Sequence, residues 1–106
     1  MFILSTLIRS RAIVEKVILE GYITVADAEI EAVKSALITH IKLTRAESGC
    51  LVFNVQQAAD NANKFDVYEE FIDEQAFIGH QQRVKTSQWA KITVNVSRHY
   101  NIQGLA

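Results

Sequence analysis

From Lys16 to Val25 the chain alternates. Val17, Leu19, Ile23 and Val25 fall on one side, and Ile18, Glu20, Tyr22 and Thr24 on the other. A spacing of two predicts a strand with one face more apolar than the other. Gly21 interrupts it, which marks a bulge or the close approach of another group. The period then lengthens: Ile30, Val33, Leu37, Ile41 and Thr44 recur at three and four residues, predicting an amphipathic helix. Asp27 is its expected N-cap, with Glu29 and Glu31 at the positive end, Lys42 and Arg45 in the last turns and Gly49 closing it.

Alternation returns at Cys50 to Gln57, with Leu51, Phe53 and Val55 on one face and Val52, Asn54 and Gln56 on the other. A turn at Asp60-Asn61-Ala62-Asn63 and a strand from Lys64 to Ile72 complete a hairpin. Asp73 then caps a second helix from about Glu74, with Phe77, His80 and Val84 along one side. Between Thr86 and Val96 both periods fit, and the stretch reads as a short helix and a connector before a last strand, Ser97 to Ile102. The order strand, helix, strand, strand, helix, strand is that of the ferredoxin-like split βαβ, an α+β fold with four antiparallel strands and both helices on one face. Its other face carries Ile18, Tyr22 and Val52. Such a face is expected to be hidden against a second copy, making a homodimer.

Composition narrows the partners. With 106 residues and 49% hydrophobic content the chain is one domain with a modest core. A net charge of −1, with Lys and Arg scattered, gives no reason to expect nucleic acid or a membrane surface as partner. The lone Cys50 excludes an internal disulfide and a thiol cluster, which suits a cytoplasmic protein. In the apolar start, Met1 to Ile8, the charges Arg9 and Arg11 follow the apolar run, so a signal peptide is not expected, and the run is too short to span a bilayer. Leu4, Leu7, Ile8 and Arg11 lie at helical spacing. Residues 1–14 are therefore expected to form an amphipathic arm over a partner subunit, and residues 15–106 the domain.

The candidate chemistry lies in Tyr68–His80, YEEFIDEQAFIGH. Glu69 shares a strand face with Phe65, Val67 and Phe71, and His80 lies on the helix face that covers the sheet. A carboxyl and an imidazole in an apolar layer can move a proton, His80 as base and Glu69 as its orienting group, or with the roles reversed. The same two groups can equally satisfy each other as a buried polar pair. Cys50 reads as a small core residue, and Phe53, Phe65 and Phe77 suit a core. His40 and His99 read as surface or interface residues, and with His80 they show no metal-ligand spacing, so no metal is expected.

Three pieces of the chain resemble the antibiotic biosynthesis monooxygenase family of dimeric α+β barrels. Glu47-Ser48-Gly49-Cys50-Leu51-Val52-Phe53 is similar to the family's E-x-G-C stretch, and Phe65 with Tyr68-Glu69-Glu70-Phe71 to its Y-E-x-W strand. Asp73, Ala76 and His80 are similar to its D-x-x-A-x-x-x-H helix opening. The resemblance runs from Val17 to about Tyr100. It implies oxygenation of a quinol or hydroxylated aromatic without a cofactor, with Phe53, Tyr68, Phe71 and Trp89 as an aromatic wall for a flat substrate. Phe71 stands where the family often has tryptophan, and the haem-degrading branch's Asn, Trp and His fall on Gly21, His80 and Ala90, which sets that branch aside. Two other readings stay open: an isomerase of a small metabolite using the same pair, and a binding dimer without turnover.

Overall fold

The structure, a computed structural model, describes residues 14–105. Its elements are β1 (Val17–Thr24), a 3₁₀ turn (Asp27–Glu29), α1 (Ile30–Arg45), β2 (Cys50–Ala58), β3 (Asn61–Phe71), α2 (Glu74–Lys85), α3 (Gln88–Ile92) and β4 (Ser97–Gln103). The strands form one antiparallel sheet in the order β2-β3-β1-β4, the ferredoxin-like arrangement expected from the periodicities.

Alternation decides which residues face the helices. Val17, Leu19 and Ile23 of β1, Phe65, Val67, Glu69 and Phe71 of β3, and Phe53 and Val55 of β2 are all buried. Val33 and Leu37 of α1, Phe77 of α2 and Trp89 of α3 close the core over them. Among the described residues Glu69 is the one buried carboxylate in this apolar layer: it faces Phe53 on β2 and Leu19 on β1, and Leu19 in turn faces Ile102.

Local details depart from the sequence pattern where tertiary contacts intervene. Asp27 caps no helix, because its Oδ1 accepts from Asn63 Nδ2 at 2.6 Å and α1 starts three residues later without a side-chain cap. Asn63 Nδ2 also donates to the Val25 carbonyl, which pins β1 to β3. Gly49 does not close α1, which ends at Arg45 with Ala46 as its C-cap. Leu51 is exposed, since a bulge between Cys50 and Val52 takes it off the inner face. The hairpin turn is Ala59-Asp60, tighter than expected, with Ala58 paired to Asn61. The close approach expected at Gly21 is present: a Cβ there would sit 1.9 Å from the His99 carbonyl oxygen.

On the outer face Ile18, Tyr22 and Val52 are half-buried, and Tyr22 stacks on His99 with ring centroids 4.6 Å apart. Leu4, Leu7, Ile8 and Arg11 of the expected arm lie outside the described residues. Among the described residues no helix is long and apolar enough to cross a membrane.

Candidate active site

Helix α2 sets the site. Asp73 accepts from the Ala76 amide at 2.8 Å, as its position in the sequence suggests. That cap fixes where the helix begins, so Phe77 and His80, three residues apart, both turn toward the sheet and are buried. The loop from α1 to β2 then passes close beneath α2. A Cβ on Gly49 would lie 2.4 Å from Ala76 Cβ, so only glycine allows this approach without displacement. The Gly49 carbonyl accepts from the Ile72 amide at 2.9 Å and ties the loop to the end of β3.

This approach delivers Glu47. His80 Nδ1 lies 3.1 and 3.2 Å from its two carboxylate oxygens, and Arg83 Nε donates to Oε2 at 2.5 Å. Arg83 Nη2 reaches back to Thr44 Oγ1 at 2.9 Å, so α1 and α2 are joined through the carboxylate and the guanidinium. An ionised carboxylate only accepts, so Nδ1 carries the ring proton and Nε2 keeps its lone pair. Nε2 has no hydrogen-bond partner among the described residues. Burial holds the His80 pKa below the ordinary histidine value, partly opposed by Glu47, and the ring is neutral at neutral pH.

The expected pairing of His80 with Glu69 is corrected. Among the described residues no hydrogen bond joins them, and the orienting carboxylate is Glu47. Glu69 is nearby in the same layer: Phe53, directly opposite it, and Phe71, two residues along, pack on the His80 ring at 5.8 and 4.9 Å between centroids. Only 7% exposed, it is pushed up to about 8 by burial first and the Glu47 charge second, so at pH 7 it is largely a neutral acid.

Of the expected aromatic wall, Phe53, Phe71 and Trp89 lie in this inner layer and Tyr68 does not. Its neighbours Val67 and Glu69 point inward, so alternation sends Tyr68 to the outer face, where its hydroxyl donates to Glu70. His40 is the second correction. Far from being a surface residue, it is buried in α1, stacked flat on Trp89 (4.6 Å, 2° between planes) and 6.1 Å from His80. Burial, then the positive charges of His80, Arg83 and Arg98, lower its pKa to about 3. The signal was present in the spacing, since residues 33, 37, 40 and 44 form the buried stripe of α1. Glu47 had a weaker signal, as part of the Glu47–Cys50 motif.

Two clefts flank the Glu47–Arg83 pair, and Arg83 lines both. One, about 400 Å³, opens between α1 and α3 beside Ala36, His40, Leu43, Trp89 and Ile92. The other, about 490 Å³, lies under the start of α2 beside Glu47, Gly49, Asp73, Ala76 and His80. Among the described residues no three His, Cys, Asp or Glu side chains gather where they could hold a metal ion. A neutral, oriented imidazole, a protonated carboxyl and aromatic walls make an arrangement suited to taking a proton from a weak acid.

The family model for antibiotic biosynthesis monooxygenases matches residues 16–91. No curated protein matches the chain. A solved structure from Nitrosomonas europaea, assigned provisionally as an antibiotic biosynthesis monooxygenase, is similar with a TM-score of 0.73 at 20% identity, covering 86% of this chain and 90% of that one. A protein from Deinococcus radiodurans with the same provisional assignment gives 0.66 at 17%, covering 85% and 92%. PA3566 from Pseudomonas aeruginosa gives 0.65 at 23%, covering 87% and 92%. At these identities the likeness is one of fold.

Proposed function

The chain belongs to the antibiotic biosynthesis monooxygenase family, and from that premise we propose that it oxygenates a quinol or other hydroxylated aromatic without a cofactor. The observation that carries this reading is the contact of His80 Nδ1 with Glu47, which leaves Nε2 of a buried, neutral imidazole available among Phe53 and Phe71. Nε2 takes the proton of the substrate hydroxyl, and Glu47 stabilises the imidazolium that forms. The resulting phenolate is electron-rich enough to pass one electron to dioxygen. Recombination of the two radicals forms a carbon–oxygen bond. Cleavage of the oxygen–oxygen bond leaves a ring carbonyl, and the second oxygen departs as water with the two hydrogens lost from substrate oxygen and ring carbon. Glu69, mostly protonated at pH 7, is the acid that can hand a proton to that departing oxygen. The apolar walls hold the reactants together and exclude water.

A second copy on the outer sheet face fits the half-buried Ile18, Tyr22 and Val52, so a homodimer is part of the reading. A cytoplasmic setting suits the single, unpaired Cys50.

Oxygen uptake with a panel of naphthoquinols tests the proposal. Substrate-dependent consumption by the wild type, lost in a folded His80→Ala variant, supports it. No uptake with any quinol, together with tight binding of a sugar phosphate, points instead to an isomerase using the same proton-transfer groups.

A further inference from the structure

Gly79 is a glycine that no packing contact requires. The chain has four glycines, and at three of them an added Cβ would collide with its surroundings. It would lie 1.9 Å from the His99 carbonyl oxygen at Gly21, 2.4 Å from Ala76 Cβ at Gly49 and 2.1 Å from the Lys16 carbonyl oxygen at Gly104. At Gly79 it meets nothing within 4 Å. The residue stands in the middle of α2, where glycine costs stability relative to alanine because it gives up more backbone freedom. What Gly79 borders is the cleft of about 490 Å³ beneath α2. Ile72 and Ala76 supply apolar wall there, and His80 lines the same cleft, so it reaches the imidazole that the proposed reaction uses. The charges along it do not balance: two carboxylates, Glu47 and Asp73, stand against one guanidinium, Arg83. Arg83 is already engaged by Glu47 and Thr44. A partly apolar cleft with a surplus carboxylate selects an uncharged molecule over an anion.

We propose that this cleft seats an uncharged, flat hydroxyaromatic molecule beside His80, and that the missing side chain of Gly79 sets its width. The inference rests on the substrate class named above. It adds the cleft that holds the molecule, the residue that limits its size and the charge that the molecule must lack. A carboxylated or phosphorylated analogue would bring a further negative charge up to Glu47 and Asp73, with Arg83 already committed, so it should be turned away. A side chain placed at position 79 would enter open space at the cleft and leave the core of the domain untouched.

The test is calorimetric binding of 2-naphthol and of 2-naphthoate to the full chain at pH 7, with the His80 ring resonances as local reporter. In the wild type 2-naphthol should shift those resonances and bind about tenfold tighter than 2-naphthoate, the effect of one uncompensated like charge near the surface. Gly79→Ala should raise the melting temperature, since nothing at that point resists a methyl group. Gly79→Phe should weaken 2-naphthol binding by about tenfold or more while the protein stays folded. Gln75→Trp, at another exposed position of α2 that lines the cleft, should do the same and decides alone if Gly79→Phe fails to fold. No 2-naphthol binding to the wild type, equal affinity for 2-naphthoate, or affinity undiminished in the folded blocking variants would each overturn the assignment. A lower melting temperature in Gly79→Ala would show that the fold needs this glycine and would overturn its role. Tight naphthol binding without oxygen uptake would sink the oxygenase reading and leave the cleft standing. Oxygen uptake undiminished in Gly79→Phe would do the opposite.

Discussion

His80 and Glu47 lie 33 residues apart in the chain, yet the imidazole Nδ1 sits within 3.2 Å of both carboxylate oxygens. Arg83, one turn beyond His80, grips the same carboxylate. The guanidinium holds Glu47 in place, the carboxylate fixes the tautomer of His80, and the phenylalanines of β2 and β3 pack on the ring. Each part depends on the others, which makes the cluster a sensitive target for substitution.

Glu47→Gln removes the charge while keeping the shape. Loss of the carboxylate removes the influence that raises the His80 pKa, so His80 should titrate lower than in the wild type. Turnover of a quinol substrate should fall by about 10–100-fold, the usual effect of removing an orienting partner. An NMR titration of the His80 ring alongside steady-state kinetics checks both. An unchanged His80 titration would break the proposed link.

Glu69 makes a prediction about pH and stability. Its folded pKa of about 8 lies above the 4.5 of an unperturbed glutamate, so between those values the folded chain binds a proton that the unfolded chain has released. Stability from this group is therefore full below pH 4.5, falls as pH rises and levels off above 8. Glu69→Gln should gain on the wild type across that window, by on the order of a few kcal/mol at pH 8. Denaturant melts of both proteins at pH 4.5, 6 and 8 measure it. A gap that does not widen with pH would mean that Glu69 ionises normally.

Close packing at Gly49 gives a third test. Gly49→Ala places a methyl group against Ala76 and should destabilise the fold by about 1–3 kcal/mol, shifting Glu47 away from His80 as it does so. Ala76→Gly in the same chain should restore most of both stability and activity. Additive losses in the double variant would show that the two positions do not act on each other.

The outer face can be tested independently of the chemistry. Ile18→Asp puts a buried charge on each side of the proposed two-fold contact, and sedimentation equilibrium should show at least tenfold weaker association. A monomer at all concentrations in the wild type, or a dimer indifferent to this change, would remove the second copy from the reading.

What was legible in the sequence was what local chemistry decides. The Asp73 cap, the period-two strands and the period-3.6 stripe of α1 follow from residues a few positions apart, and the fold follows from their order. Asp27 misled because its carboxylate serves Asn63, 36 residues away, a contact no local pattern contains. Leu51 misled because a one-residue bulge reverses a strand's faces without any change in composition. At the site, His80, Glu69, Phe53, Phe71 and Trp89 were readable as inward-facing. Tyr68 had the wrong parity for the wall assigned to it, and His40 could have been read from its place in the α1 stripe. The Glu47 contact was not readable as such, since it depends on a glycine letting one loop pass under one helix.

The most direct measurement is ¹⁵N NMR of the histidine rings at pH 7. For His80 it should show a neutral imidazole protonated on Nδ1, with an unprotonated Nε2, and that pattern should be lost in Glu47→Gln. An imidazolium, or a proton resting on Nε2 in the free protein, would contradict the proposal that this ring takes the substrate's proton.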